Sequence, residues 1–187
     1  MTTFVVIAVI ALLIFCFAGG KPKDNQKNLR SSRSNRREPD KYARKPAIRM
    51  LNRDGNPRED EWYTKIAGVT FHNNRDEVGG FSGWVANDPS NKVDKNAMGI
   101  YNESGRLLGY IPADELDSYR RWCDGQPQPC VGIIYTDEDY LCGRVKILRP
   151  CNPKFLQDEF SKYLQWIHDN YGRSYLPKKL SMQFETE

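Results

Sequence analysis

Three groups of side chains in this sequence could carry chemistry. The first is the stretch Asn87-Asp88-Pro89-Ser90-Asn91-Lys92-Val93-Asp94-Lys95-Asn96, which gathers amide, carboxylate and ammonium groups in a turn-forming context. The second is a dispersed set of rings, Phe71, His72, Trp84, Tyr101 and Tyr110. The third is the acidic run Asp137-Glu138-Asp139, which falls between two β-prone segments and reads as a solvated hairpin tip rather than a metal site. Catalytic signatures are missing: there is no G-x-x-x-x-G-K-[ST] phosphate loop and no G-x-S-x-G elbow. His72 and His168 are far apart in sequence, with no obvious nucleophile beside them. The expectation is a protein that is not an enzyme, with no cofactor and no metal.

The cysteines agree with that expectation. Cys123, Cys130, Cys142 and Cys151 have no C-x-x-C spacing, the arrangement in which one turn offers two ligands to a single zinc ion. They read as free thiols of a reducing compartment, with a zinc site or two disulfides as the alternatives.

Residues 4–18 are continuously apolar, and with their small neighbours they reach about the minimum length that spans a hydrocarbon core. No basic residue precedes them, as one would before a cleaved signal, so residues 1–20 are expected to be a retained transmembrane anchor, with a cleaved signal as the alternative. Residues 21–45 hold ten Lys or Arg against three acids, a balance of +7 in a chain whose total is +4, which leaves the rest of the chain at −3. The basic cluster directly after the span places the carboxy-terminal part in the cytoplasm of a single-pass membrane protein. Residues 21–58 read as a basic disordered linker that could also lie on anionic lipid. The basic character belongs to this linker and not to the folded part.

The remaining chain, in a protein of 187 residues, suffices for one domain plus additions. Residues 63–71 alternate and read as a strand, residues 83–86 as a second, and residues 97–101 and 106–111 as a hairpin about Asn102-Glu103-Ser104-Gly105. Pro112-Ala113-Asp114-Glu115 opens a helix. A final hairpin spans residues 131–135 and 141–148. An amphipathic helix follows over 153–171, with Asn152 as its cap and an apolar stripe of Leu156, Phe160, Tyr163, Leu164, Ile167 and Tyr171. The fold class expected is mainly β with helical additions, a small barrel over 59–150 followed by a helix and tail over 151–187.

Ile66-Ala67-Gly68-Val69-Thr70-Phe71, then Asn87 through Met98, then Gly105 and Leu108-Gly109-Tyr110-Ile111-Pro112 resemble the pattern of a HIRAN domain over about 90 residues, roughly half the chain. The resemblance implies an OB-like barrel that captures the 3′ end of single-stranded DNA. It implies that Phe71 stacks on a base, that Asn91 and Asp94 hold the terminal nucleotide with Asp94 on the 3′-hydroxyl, and that Tyr110 lies beside the backbone. Thr70 stands where characterised members have a basic residue, and Lys92-Val93 where the family often has Pro and an aromatic.

The residues themselves can be weighed separately. Each aromatic face is worth roughly 1–3 kcal/mol per base if a cationic groove tracks the backbone. Phe71, His72, Trp84, Tyr101 and Tyr110 could supply faces, and Lys65, Arg75, Lys92, Lys95 and Arg106 charge. A carboxylate beside a polyanion is favourable only where it accepts from a hydroxyl, and a free 3′ end provides one. The plainer alternatives are Phe71 in the core, Asp94 and Asn96 bracing their turn, and Tyr110 packing in the barrel. With these the same fold would serve as a protein-interaction adaptor at the cytoplasmic membrane face.

Overall fold

In the computed structural model, residues 42–72 and 78–177 are described. The expected anchor and the first half of the basic linker lie outside them, as do Arg75 and the carboxy-terminal tail. Among the described residues no helix is long and apolar enough to cross a membrane.

The fold is mainly β. Six strands, β1 (Glu61–Lys65), β2 (Gly79–Asn87), β3 (Met98–Asn102), β4 (Leu107–Tyr110), β5 (Gln128–Asp137) and β6 (Tyr140–Leu148), form one curled antiparallel sheet in the order β1-β6-β5-β2-β3-β4. One-turn helix α1 (Pro57–Asp60) leads into β1, α2 (Leu116–Cys123) follows β4, and α3 (Pro153–Tyr171) follows β6. Two 3-10 turns, η1 (Val69–His72) and η2 (Arg173–Tyr175), complete the elements.

Period-2 alternation gives the sheet two apolar faces. The concave face packs Val85, Ile100, Leu108, Ile134, Val145 and Ile147 around Tyr119 of α2. The convex face packs Val131, Ile133 and Leu148 under Leu156, Phe160 and Ile167 of α3. β5 serves both faces, so its first seven residues are all buried. That double burial explains the continuous run Val131-Gly132-Ile133-Ile134, where a one-sided strand would alternate.

α3 has the bounds expected of it. The Asn152 side chain accepts from the Phe155 N–H at 2.8 Å, and Pro153 sets the first turn. Its stripe also carries a buried carboxylate, Glu159, held by Lys146 at 2.8 Å and Lys162 at 2.6 Å. Burial works to raise that carboxyl's pKa, but the two ammonium partners hold it below the usual range.

Two expectations are corrected. The strand read over 63–71 stops at Lys65, and Gly68, at φ +75°, turns the chain into η1. Residues 42–58, assigned to the linker, are hydrogen-bonded to the domain. The Ala43 N–H donates to Gly105 O at 2.8 Å, and the Leu51 N–H donates to Pro150 O at 2.6 Å. Arg53 pairs with the buried Asp60. These bonds use mostly backbone groups, which composition does not report.

The sheet's ends meet just past β1. Ile66 N–H still donates to Gly143 O of β6, at 2.9 Å. One residue on, Ala67 points the other way and exchanges two hydrogen bonds with Tyr110 of β4, each 2.9 Å. Gly109 makes room for this approach: a Cβ there would lie 2.4 Å from Ala67 O and 2.5 Å from Ile66 Cγ2. Gly109→Ala should therefore part the two edges and cost about 1–3 kcal/mol in urea unfolding. A loss below about 0.5 kcal/mol, the range of neutral surface changes, would show that the fold does not need the closure.

Candidate nucleic-acid interface

The β2–β3 loop folds on its own short polar side chains. Asp88 N–H donates to Ala97 O across its neck at 2.8 Å. Asp88 Oδ1 accepts from Ser90 N–H at 3.0 Å and from Ser90 Oγ at 2.6 Å. Asn91 Oδ1 accepts from Val93 N–H at 2.9 Å and Asp94 N–H at 3.0 Å, and Asp94 Oδ1 accepts from Asn96 N–H at 2.8 Å. These are Asx turns in series, the local bonding that short amides and carboxylates favour. Arg120 of α2 clamps the loop from below, donating to Asn96 O at 2.8 Å and Asn87 Oδ1 at 3.3 Å.

Asp88 links this loop to the seam of the sheet. Its carboxylate is buried, and Oδ2 accepts from the Tyr110 hydroxyl at 2.9 Å. Burial and the bond to Asp88 together push the Tyr110 phenol up to about 12. The His72 ring meets the Tyr110 ring edge-on, with centroids 5.4 Å apart. Burial lowers the His72 pKa, and the attraction of Asp88 only partly opposes this, so the imidazole is neutral at pH 7.

The structure brings Asn91, Asp94, Lys95 and Tyr110 to this one region and distributes their roles differently from the expectation. Asn91 and Asp94 each spend one oxygen on the turn, and Lys95 Nζ reaches back to Pro89 O at 3.4 Å. Thr70 donates to Leu141 O beside β6 at 3.4 Å. Phe71 is not a core residue: it is 89% exposed on η1, where its N–H donates to Gly68 O at 3.0 Å. Val93 is 97% exposed at the loop tip, flanked by Lys92. Trp84 and Tyr101 are buried and stacked on each other at 5.8 Å, so these two rings are core and not faces for a ligand. Sequence reasoning passed over Asp88 as turn material. The signal was its spacing, two residues before Ser90 and directly before Pro89, where an Asx turn accepts from the following backbone.

No family model matches the sequence, and no curated protein does. Among solved structures, the chain is similar to the HIRAN domain of human HLTF, at 13% identity and a TM-score of 0.34, over 56% of this chain and 88% of that one.

The neutral His72 makes folding depend on protons. Its folded pKa lies below its unfolded value of about 6.5, so the unfolded chain binds more protons as pH falls. The stability this contributes is complete above about pH 6.5 and is lost as pH falls through the folded pKa. Wild-type Tm should drop between about pH 7.5 and pH 5.5, a window above the carboxylate titrations, and His72→Gln should flatten that drop. Equal slopes in the two proteins would place His72 outside the linkage.

Proposed function

We propose that the folded part is a nucleic-acid-binding module that takes the 3′ end of a single strand and acts by binding alone, tethered to the membrane by residues 1–20. The observation that carries the reading is the exposure of Phe71. Phe71 is 89% exposed on a hydrogen-bonded turn, and the next residue, His72, packs on Tyr110, so the ring stands in solvent beside the β2–β3 loop's anchor. An exposed ring of this kind offers a stacking face to an unpaired base, which any base can use. Lys92 and Lys95 on the neighbouring loop supply cationic charge for the phosphates. Asp94 has its Oδ1 occupied by Asn96 N–H, which leaves Oδ2 to accept from a ligand, and a terminal hydroxyl is a backbone donor that an internal phosphodiester lacks.

The test is fluorescence anisotropy of the full chain in mild detergent, with a short labelled single strand ending in 3′-OH and the same strand ending in 3′-phosphate. The 3′-OH strand should bind more tightly. Phe71→Ala should weaken binding about 5- to 150-fold, the worth of one stacked base. Asp94→Ala should abolish the preference for the free hydroxyl. Binding that ignores the 3′ group would remove end capture, and no binding of either strand would remove the nucleic-acid reading.

A further inference from the structure

Among the described residues, β1 is an open strand edge. Ile66 turns its backbone groups toward β6 and Ala67 turns its own away, so by alternation Thr64 and Trp62 face β6 while Lys65, Tyr63 and Glu61 face outward. Ala67 finds Tyr110. Among the described residues, the amide and carbonyl of Tyr63 and the amide of Lys65 have no partner, and the Lys65 carbonyl takes only the Thr64 hydroxyl, at 3.2 Å. A groove of about 460 Å³ runs along this edge, lined by Tyr63, Lys65, Pro112, Asp114 and Arg144. Proteins usually blunt such an edge with Pro, a bulge or an uncompensated charge. β1 has neither Pro nor bulge; its five residues pair with β6 in unbroken register.

We propose that a second copy of this chain pairs with β1, antiparallel and centred on Tyr63. The sequence Glu61-Trp62-Tyr63-Thr64-Lys65 is complementary to itself in this register alone. The two-fold axis sets Tyr63 against its own copy and Glu61 against Lys65, and these are the three residues whose backbone groups face outward. All three side chains lie on one face, so each end of the ladder gains a cross-strand pair of opposite charge. The ladder holds about six hydrogen bonds. The Lys65 charge, which would repel other strands, meets Glu61 of the copy, whose Oε2 already pairs with Lys146 of its own chain at 2.7 Å and whose Oε1 is left to accept from Lys65. The interface is isologous and closes at two chains. It does not depend on what the β2–β3 loop binds.

The experiment is oxidative cross-linking of the full chain in detergent, with the linked peptide identified by mass spectrometry so that the native thiols do not confuse the result. Tyr63→Cys places two sulfurs across the axis, in a hydrogen-bonded pair whose Cα separation of about 5.5 Å suits a disulfide. It should give a 63–63 cross-link in at least about tenfold excess over the self-links of Glu61→Cys or Lys65→Cys, whose like positions lie on the order of 14 Å apart. The combined Glu61→Cys, Lys65→Cys chain should give the 61–65 link between copies, a second readout that leaves Tyr63 in place. Similar yields at all three single positions would mean random collision and would overturn the proposal, as would the absence of both the 63–63 and the 61–65 links.

Discussion

Two hydrogen bonds between Ala67 and Tyr110 decide what the rest of the sheet can do. A six-stranded sheet with free ends has two open edges, and its concave face is exposed along the gap between them. The reversal from Ile66 to Ala67 moves the chain from one edge to the other within a single residue. It draws β1 and β4 together at one end of the seam. Ile66 and Val69 then complete the concave core instead of facing water. At roughly 25 cal/mol per Å² of apolar surface, burying the two side chains is worth about 3–6 kcal/mol, against about 1–3 kcal/mol for the two bonds. The bonds set the geometry and the core supplies most of the stabilisation.

Tyr110 takes part in both closure and presentation. Its backbone closes the seam, while its hydroxyl enters the β2–β3 loop to meet Asp88. A buried carboxylate without partners is costly, so Asp88 keeps its place only while Tyr110 and Ser90 donate to it. The loop beyond needs no core of its own, because Asn91 and Asp94 satisfy its amides and Arg120 fixes its far end. Phe71 and the Asn91–Asp94 turn are therefore held by one connected set of bonds that begins at the seam. A ligand meeting such surfaces loses less of its binding energy to ordering them.

Where a segment's character was a pattern, the sequence showed it. The stripe and cap of α3, the turn at residues 102–105 and the hairpin over residues 131–148 follow from periodicity or turn chemistry, and the structure has each of them. What was hidden depends on partners distant in sequence. A strand continuing through Phe71 was a fair reading of alternation, but nothing local announces that Ala67 must reach Tyr110. The polar stretch before β1 looked unable to bury itself, and it does not; it attaches through backbone bonds to Gly105 and Pro150. Trp84 and Tyr101 looked like available rings because aromatic residues suit cores and ligand surfaces equally, and only the sheet's curl assigns them to the core. Of the residues expected to bind, Asn91, Asp94, Lys95 and Tyr110 share one region, Phe71 is exposed, and Thr70 is turned toward Leu141.

The seam has two ends, and they are chemically different. Its narrow end is the Ala67–Tyr110 pair, with His72 and Asp88 packed behind it. Its wide end is the unpaired edge of β1, beside the groove under Pro112. Glu115 accepts from Trp62 Nε1 at 3.2 Å and from Thr64 Oγ1 at 2.9 Å, and so ties β1 to the start of α2. α2 in turn carries Arg120, which holds the β2–β3 loop. Anything that pairs with β1 therefore meets a strand already connected, through one helix, to the loop that bears Asp94.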